Sequence, residues 1–414
     1  MIEHSLHTSK NPILPGRGVC DPHVHVFDDR VFLFAGHDTS PDSADYDMRD
    51  WQIWSSQDLV SWKLERSIKP DEFFMGATDK CWAIDAAYAN GKYYLYFSHG
   101  NEQIGVAVAD SPSGPYFDAL GAPLMDGTVT TTREYDPSVF FNNGSAYIVF
   151  GGPEWAYGPG AGYFIARLDK DMTTLSETPR RIELDHEGDD KVSLNRIGDR
   201  YYLTFASHYA TSESFYGPYH YMGNTGASTD HGSYFSWNGQ LFNAFTVYDP
   251  SQTYRSTGIC YVHQRQNGEL QVDQLIVEYG VGQYDGRWNK IEAEWFMKAA
   301  NVEKRENPRS GFDVVCKANG TLLFPNIRHL AGRGNITFYA ACTSADGATI
   351  KLYDGEDSAS PIATVEICYS GHLTWRSYRI FRQQLSNLPE TFHLRLDIEV
   401  VGDGELRLDY LAFH

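Results

Sequence analysis

The sequence predicts an all-β protein, a five-bladed β-propeller over residues 1–285 followed by a β-sandwich of jelly-roll type over residues 286–414. Three observations carry this. Five hairpin signals recur along the first part, helical periodicity is almost absent before residue 290, and a charged stretch near residue 285 gives way to short strands of period two.

The hairpins read HVHVFDDRVFLFAG (23–36), AAYANGKYYLYFSHG (86–100), SVFFNNGSAYIVFGG (138–152), SLNRIGDRYYLTFAS (193–207) and SYFSWNGQLFNAFTV (233–247). In each, two apolar runs flank Asp-Asp, Asn-Gly or Gly-Asp, dipeptides that accept the positive φ of a tight hairpin turn. Their starts lie roughly 40 to 60 residues apart, the repeat length of a propeller blade. A β-sandwich with irregular hairpins is the alternative for this part. In the second part, TLLFPNI, NITFYAACTS, ATIKLYDG, IATVEICYS, FHLRLDIEV and ELRLDYLAF alternate apolar and polar residues between turns, as sandwich strands do.

The net charge of −20 argues against nucleic acid or an anionic membrane as partner. The six cysteines show no CxxC spacing and read as reduced thiols. MIEHSLHTSKNPILPG lacks the basic and apolar segments of a secretory leader, and no run is long enough for a transmembrane helix. A cytoplasmic protein is expected.

Function is read from what precedes each hairpin: Asp21, Asp85, Asp136, Asp190 and His231. The innermost strand of every propeller blade lines the channel, so polar residues at equivalent positions converge on one pocket. A lone Asp before Pro or Gly is ordinary turn chemistry, but four carboxylates and a histidine recurring over five repeats point to a site. Converging carboxylates suit glycoside hydrolysis, in which one is ionised as base and another is held protonated as acid by burial and neighbouring charge. Calcium is the rival occupant of an acidic cluster; no DxDxDG loop is present, which leaves a water-coordinated calcium beside His231 as the form it would take.

These motifs, with NPILPG, WSSQDLVSWK, WAIDAAYANGKYYLYFS and VAVADSPSGPY, resemble glycoside hydrolase family 43 over roughly residues 10 to 280. The resemblance implies a five-bladed propeller with inverting chemistry, Asp21 as general base and Asp136 as the residue that orients the acid and tunes its pKa. By the same resemblance Asp85 is a substrate contact and His231 lies near the channel centre. The family's acid is a Glu at the start of the fourth blade. Here Asp190 holds that register, while Glu187, with Gly188, imitates the family's Glu-Gly pair. His186 is a third candidate, since related anhydro-sugar hydrolases use a histidine acid. Trp82, beside Asp85, and Trp155, in the loop GGPEWAYGPGAG, are candidate sugar platforms.

The second part resembles carbohydrate-binding module family 6 through IEAEWF, LLFPNI, LTWRSY and LRLDYLAF. That likeness implies a structural calcium held by Glu292, Glu294 and Asp409. It also sets Arg407 where the family has a sugar-binding asparagine, and Trp375 at a family tryptophan. The expected activity is exo-acting release of terminal arabinofuranosyl, xylosyl or related sugars from oligosaccharides. Hydrolysis of anhydro-sugar or galactofuranosyl oligosaccharides is the alternative, and a catalytically silent sugar-binding propeller is a third.

Overall fold

Turn chemistry sets the architecture of the first part. In the computed structural model, which describes residues 6–7, 10–131, 133–228, 230–309, 311–374, 376–386 and 388–414, all five hairpins form. Four of them turn through two left-handed residues, at Asp28-Asp29, Asn90-Gly91, Asn143-Gly144 and Asn238-Gly239; the fourth blade turns at Gly198, φ 61°. Such turns match the right-handed twist of the strands they join, so each hairpin begins an antiparallel blade.

Blade one is built on Val19–Phe27, followed outward by Arg30–Asp38, Met48–Ser56 and Ser61–Ile68, with Leu6–His7 at its edge. Blade two runs Cys81–Ala89, Lys92–His99, Gln103–Ala109 and Phe117–Asp118. Blade three runs Ser138–Asn142, Ser145–Gly151, Tyr163–Arg167 and Arg180–Arg181, and blade four Val192–Ile197, Arg200–Phe205, His208–Ser212 and His220–Asn224. Blade five has three strands among the described residues, Gly232–Trp237, Gln240–Ser251 and Tyr254–Tyr261.

Apolar faces of adjacent blades bury one another. Trp51, Phe73 and Phe97 pack between blades one and two, with Phe73 and Phe97 stacked at 4.8 Å. Tyr96, Ile148 and Phe150 fill the next interface, and Val149, Ile165, Leu194 and Phe205 the one after. The ring is closed by the segment before blade one. The Asn11 amide donates to Ile259 O (3.0 Å) and Val277 O (2.8 Å), its carbonyl accepts from Ile259 N (3.1 Å), and Ile13 N donates to Thr257 O (2.8 Å). A buried amide with its partners met is a specific clasp.

The chain divides into two compact units. The first runs to Phe235 and includes Phe242–Cys260 and Gly268–Gly280; the second comprises Ser236–Leu241, Tyr261–Asn267 and Val281–His414. The second unit holds two six-stranded sheets. One has Asn319–Arg328, Thr391–Val400 and Ala348–Asp354 at its centre, and the other has Phe312–Cys316, Leu406–Phe413 and Asn335–Cys342. Along Thr391–Val400 the side chains at 392, 394, 396, 398 and 400 are buried and the intervening ones are not, as a one-faced strand requires. Trp375 lies outside the described residues.

Candidate active site

The inner strands meet the pocket in a fixed register. Counting back seven residues from the first turn residue of each hairpin gives Asp21, Ala83, Asp136, Lys191 and His231. Asp21, Asp136 and Lys191 all adopt left-handed backbone (φ 53°, 53° and 54°) at the strand entrance, and at Asp21 the pairing with the next strand shifts register as in a bulge. The backbone N–H of Asp21 donates to Thr246 Oγ1 (3.1 Å), and that of Asp136 to Ser98 Oγ (2.8 Å). A hydroxyl from the preceding blade thus fixes each aspartate. Blade four puts a lysine where blades one and three put carboxylates, and Asp190 sits one residue upstream. Its carbonyl accepts from Ala206 N (3.0 Å) just as Tyr135's accepts from Gly151 N (3.0 Å).

Around this entrance lies an open pocket of about 510 Å³ lined by Asp21, Tyr46, Met48, Trp82, Ala83, Tyr135, Asp136, Tyr157, Asp190, Asp230, His231 and Arg255. Trp82 is positioned by its carbonyl, which accepts from Trp51 Nε1 (2.6 Å), and Tyr135 packs on Tyr157 at 4.9 Å. Gly152 permits this, since a Cβ there would stand 1.7 Å from the Tyr135 hydroxyl.

The carboxylates divide into two groups. Asp21 is held by the guanidinium of Arg255 through two contacts, 2.8 Å to Oδ1 and 3.2 Å to Oδ2. Arg255 also donates to Asp38 (3.0 Å from Nε, 3.0 Å from NH2) and Asp230 (3.1 Å), and lies 4.9 Å over the Tyr46 ring. Asp190 has no such partner, and its buried Oδ1 makes no hydrogen bond. Burial pushes its carboxyl up to about 7, opposed by His231 and reinforced by Asp136, Asp230 and Asp189. Burial likewise raises Asp136, against the charges of His231 and Lys191.

His231 lies between the two groups, 3.6 Å from Asp21 Oδ1 by Nδ1 and 3.6 Å from Asp136 Oδ2 by Nε2. Burial disfavours its charge, yet Asp21, Asp136, Asp230 and Asp190 together move its pKa upward. Lys191 is fully buried and donates to Pro137 O (2.7 Å), so its charge stands behind Asp136. One carboxylate paired with a cation beside another kept protonated near neutrality is the division of labour that acid–base chemistry needs.

Several sequence expectations are corrected. Asp85 lies two residues deeper than the pocket register and does not line the pocket. It is fully buried, accepting from Val139 N (2.6 Å), Ala86 N (2.7 Å) and His25 Nε2 (2.6 Å). Burial opposes its charge, but His23 and His25 hold its pKa well below the usual carboxylate range. Glu187 and His186 are exposed and line a different cleft with Glu154, Arg181 and His220; the His186 ring stacks on Tyr221 at 3.8 Å. Of the three acid candidates, the pocket contains Asp190. Trp155 is 58% exposed outside the pocket lining, its indole donating to Gly188 O (2.9 Å).

In the second unit, Glu292, Glu294 and Asp409 are not among the described groups whose donor atoms converge tightly enough for one ion. Lys290 pairs with Glu292, and Arg309 pairs with Asp409, whose other oxygen accepts from Asn307 (3.1 Å). Lys290 and Arg309 thus neutralise two of the three carboxylates. Among the described residues, Asp21, Asp230 and His231 do bring donor atoms within 4.8 Å of one another.

Arg255, Asp38 and Asp230 belong to no motif or repeat register that marks them in the sequence. The one available signal for Arg255 is a charge inside the otherwise uncharged strand YRSTGICY. Because its guanidinium neutralises Asp38, which is wholly buried, Arg255→Met leaves an unpaired buried carboxylate. It should destabilise the fold by about 3–5 kcal/mol, a drop in Tm readable by calorimetry; a variant as stable as wild type contradicts the pairing.

Carboxylates gathered around a pocket at the channel mouth of a propeller are what acid–base glycoside hydrolysis requires. Residues 9–271 match the family model for glycosyl hydrolases family 43, and the chain belongs to that family. It is 27% identical over 321 residues to a xylosidase/arabinosidase of Bacteroides ovatus, an alignment covering 64% of this chain and 97% of the relative. It is 28% identical over 305 residues to a β-D-galactofuranosidase of Aspergillus niger, covering 65% and 86%. A family 43 arabinoxylan arabinofuranohydrolase from Bacillus subtilis, solved with cellotetraose, shares the fold over 97% of both chains, with a TM-score of 0.56 and 20% identity.

Proposed function

We propose that the protein is an exo-acting, inverting glycosidase that removes terminal arabinofuranosyl, xylosyl or related units from oligosaccharides, with Asp21 as general base and Asp190 as general acid. The observation that carries the assignment is the contrast between Asp21, gripped by Arg255, and Asp190, whose buried Oδ1 has no hydrogen-bond partner. In the reaction Asp190 gives its proton to the glycosidic oxygen as the bond to the sugar breaks. Water attacks the opposite face and loses a proton to Asp21, so the sugar leaves with inverted configuration. Asp136, within reach of His231 and Lys191, orients the acid and keeps its proton through negative charge. His231 and Trp82 are substrate contacts.

The relatives named as xylosidase/arabinosidase and galactofuranosidase support a neutral pentose or furanose at the pocket. The concentration of carboxylates there disfavours an acidic sugar. A calcium ion beside His231 would be held by Asp21 and Asp230 and would add positive charge there; Arg255 already supplies such charge, and no step is assigned to the ion. The second unit is a β-sandwich of the carbohydrate-binding-module kind, in which Lys290 and Arg309 stand in for the structural calcium.

Nitrophenyl α-L-arabinofuranoside, β-D-xyloside and β-D-galactofuranoside are the first substrates to test. Turnover of the first two above the third fits the proposal, and preference for the third selects the galactofuranosidase alternative. If none turns over while titration calorimetry detects sugar binding, the acid–base assignment fails.

A further inference from the structure

His23 and His25 lie two residues apart on the inner strand of blade one, beyond the register shift between Cys20 and His23, which puts both on one face of the strand. His23 and His25 therefore face the channel deeper than the pocket, where they meet Asp85 of blade two. His23 Nδ1 and His25 Nε2 both lie 2.6 Å from the same oxygen, Asp85 Oδ1. We propose that His23, His25 and Asp85 form a binding site for a divalent transition-metal ion of the zinc type, separate from the sugar pocket.

Two imidazoles and one carboxylate, with water in a fourth position, are a recognised donor set for zinc, and nitrogen donors select it over calcium. The donor atoms of His23, His25 and Asp85 all lie within 4.8 Å of one another on buried or half-buried side chains. His23 Nε2 is 3.1 Å from Ser193 Oγ, which leaves its Nδ1, beside Asp85, as the nitrogen for the ion.

The surroundings suit a ligated site. Asp85 Oδ2 is fixed by Val139 N (2.6 Å) and His23 by Ser193, so backbone and hydroxyl groups from blades three and four orient the ligands. The His25 side chain is 26% exposed and offers a route for the ion. Bonds of about 2.0–2.1 Å require ligand atoms about 3.3 Å apart in a tetrahedron. The two nitrogens must therefore retreat from Oδ1 by less than 1 Å, with His25 the freer to move. When His25 Nε2 takes the ion, its proton moves to Nδ1, the other ring nitrogen. An ion there would tie blade one to blade two.

The test is titration of the full chain, stripped with chelator and dialysed, with Zn²⁺ alone, followed by calorimetry and thermal melting. The expected result is one zinc per chain and a Tm raised by several degrees at saturating metal. His25→Ala should weaken zinc binding by about 100-fold or more. His220→Ala, which removes an exposed histidine paired with Asp185 (2.9 Å), should leave it intact. Ca²⁺ should produce no shift that depends on His25. Zinc binding that survives His25→Ala, or no zinc bound at all, overturns the proposal. If His25→Ala does not fold, the ligand-field spectrum of the wild-type protein with Co²⁺ decides. Intense tetrahedral bands support the site, and weak octahedral ones refute it.

Discussion

Asp21→Asn is expected to lower kcat/KM by about 10²–10⁴-fold, the usual worth of a general base, with little change in KM. The variant keeps the size of the side chain, and Arg255 keeps Asp38 and Asp230 as partners, so the fold should survive with a modest fall in Tm. What is lost is the ability to accept a proton from the attacking water. Because the leaving group plays no part in that step, the loss should be equally large for an activated aryl glycoside and for a natural oligosaccharide. Steady-state kinetics on both substrates provides the check. A loss confined to KM would reassign Asp21 to binding.

Asp190→Asn should give a loss of the same order on oligosaccharides, but one that depends on the leaving group. A dinitrophenyl group departs without protonation, so the variant should retain most of its activity on that substrate while failing on sugars with alcohol leaving groups. Asp190→Glu lengthens the arm by one methylene and tests whether blade four can use the longer carboxylic acid found elsewhere in the family. The comparison with Glu187→Gln is decisive for position: Glu187 is exposed in another cleft, and its replacement should leave both substrates unaffected.

The fold was largely legible because its signals are local. Asp-Asp, Asn-Gly and Gly-Asp each permit the positive φ that a two-residue turn demands, and all five hairpins form where the dipeptides stand. Asp21, Asp136 and His231 could be read from the same register, since strand period and turn position together decide which side chain faces the channel. Blade four departs from it. Lys191 takes the left-handed position, and Asp190 reaches the pocket from the residue before, so residue type drew attention to Glu187 and counting alone did not settle the choice.

Asp85 failed for the converse reason, being a channel residue too deep to touch the pocket. Arg255, Asp38 and Asp230 were hidden because their partners are some 200 residues away or on another strand, as in the Arg255–Asp38 pair separated by 217 positions. No periodicity encodes such a pairing. Glu292, Glu294 and Asp409 were read by likeness alone, and Lys290 and Arg309, which pair with two of them, stand outside the matched motifs.

The most direct test of the account is the alkaline limb of the kcat/KM profile. An acid must be protonated to work, so activity should fall as pH rises through the raised pKa of Asp190, about 7, with Asp136, Asp230, Asp189 and His231 as its charged neighbours. The account predicts this limb on an oligosaccharide for the wild type, Glu187→Gln and His186→Ala, and its absence in Asp190→Asn, whose residual activity is measured on a dinitrophenyl glycoside that needs no proton. A limb unchanged in Asp190→Asn, or abolished in either of the other two variants, would contradict it.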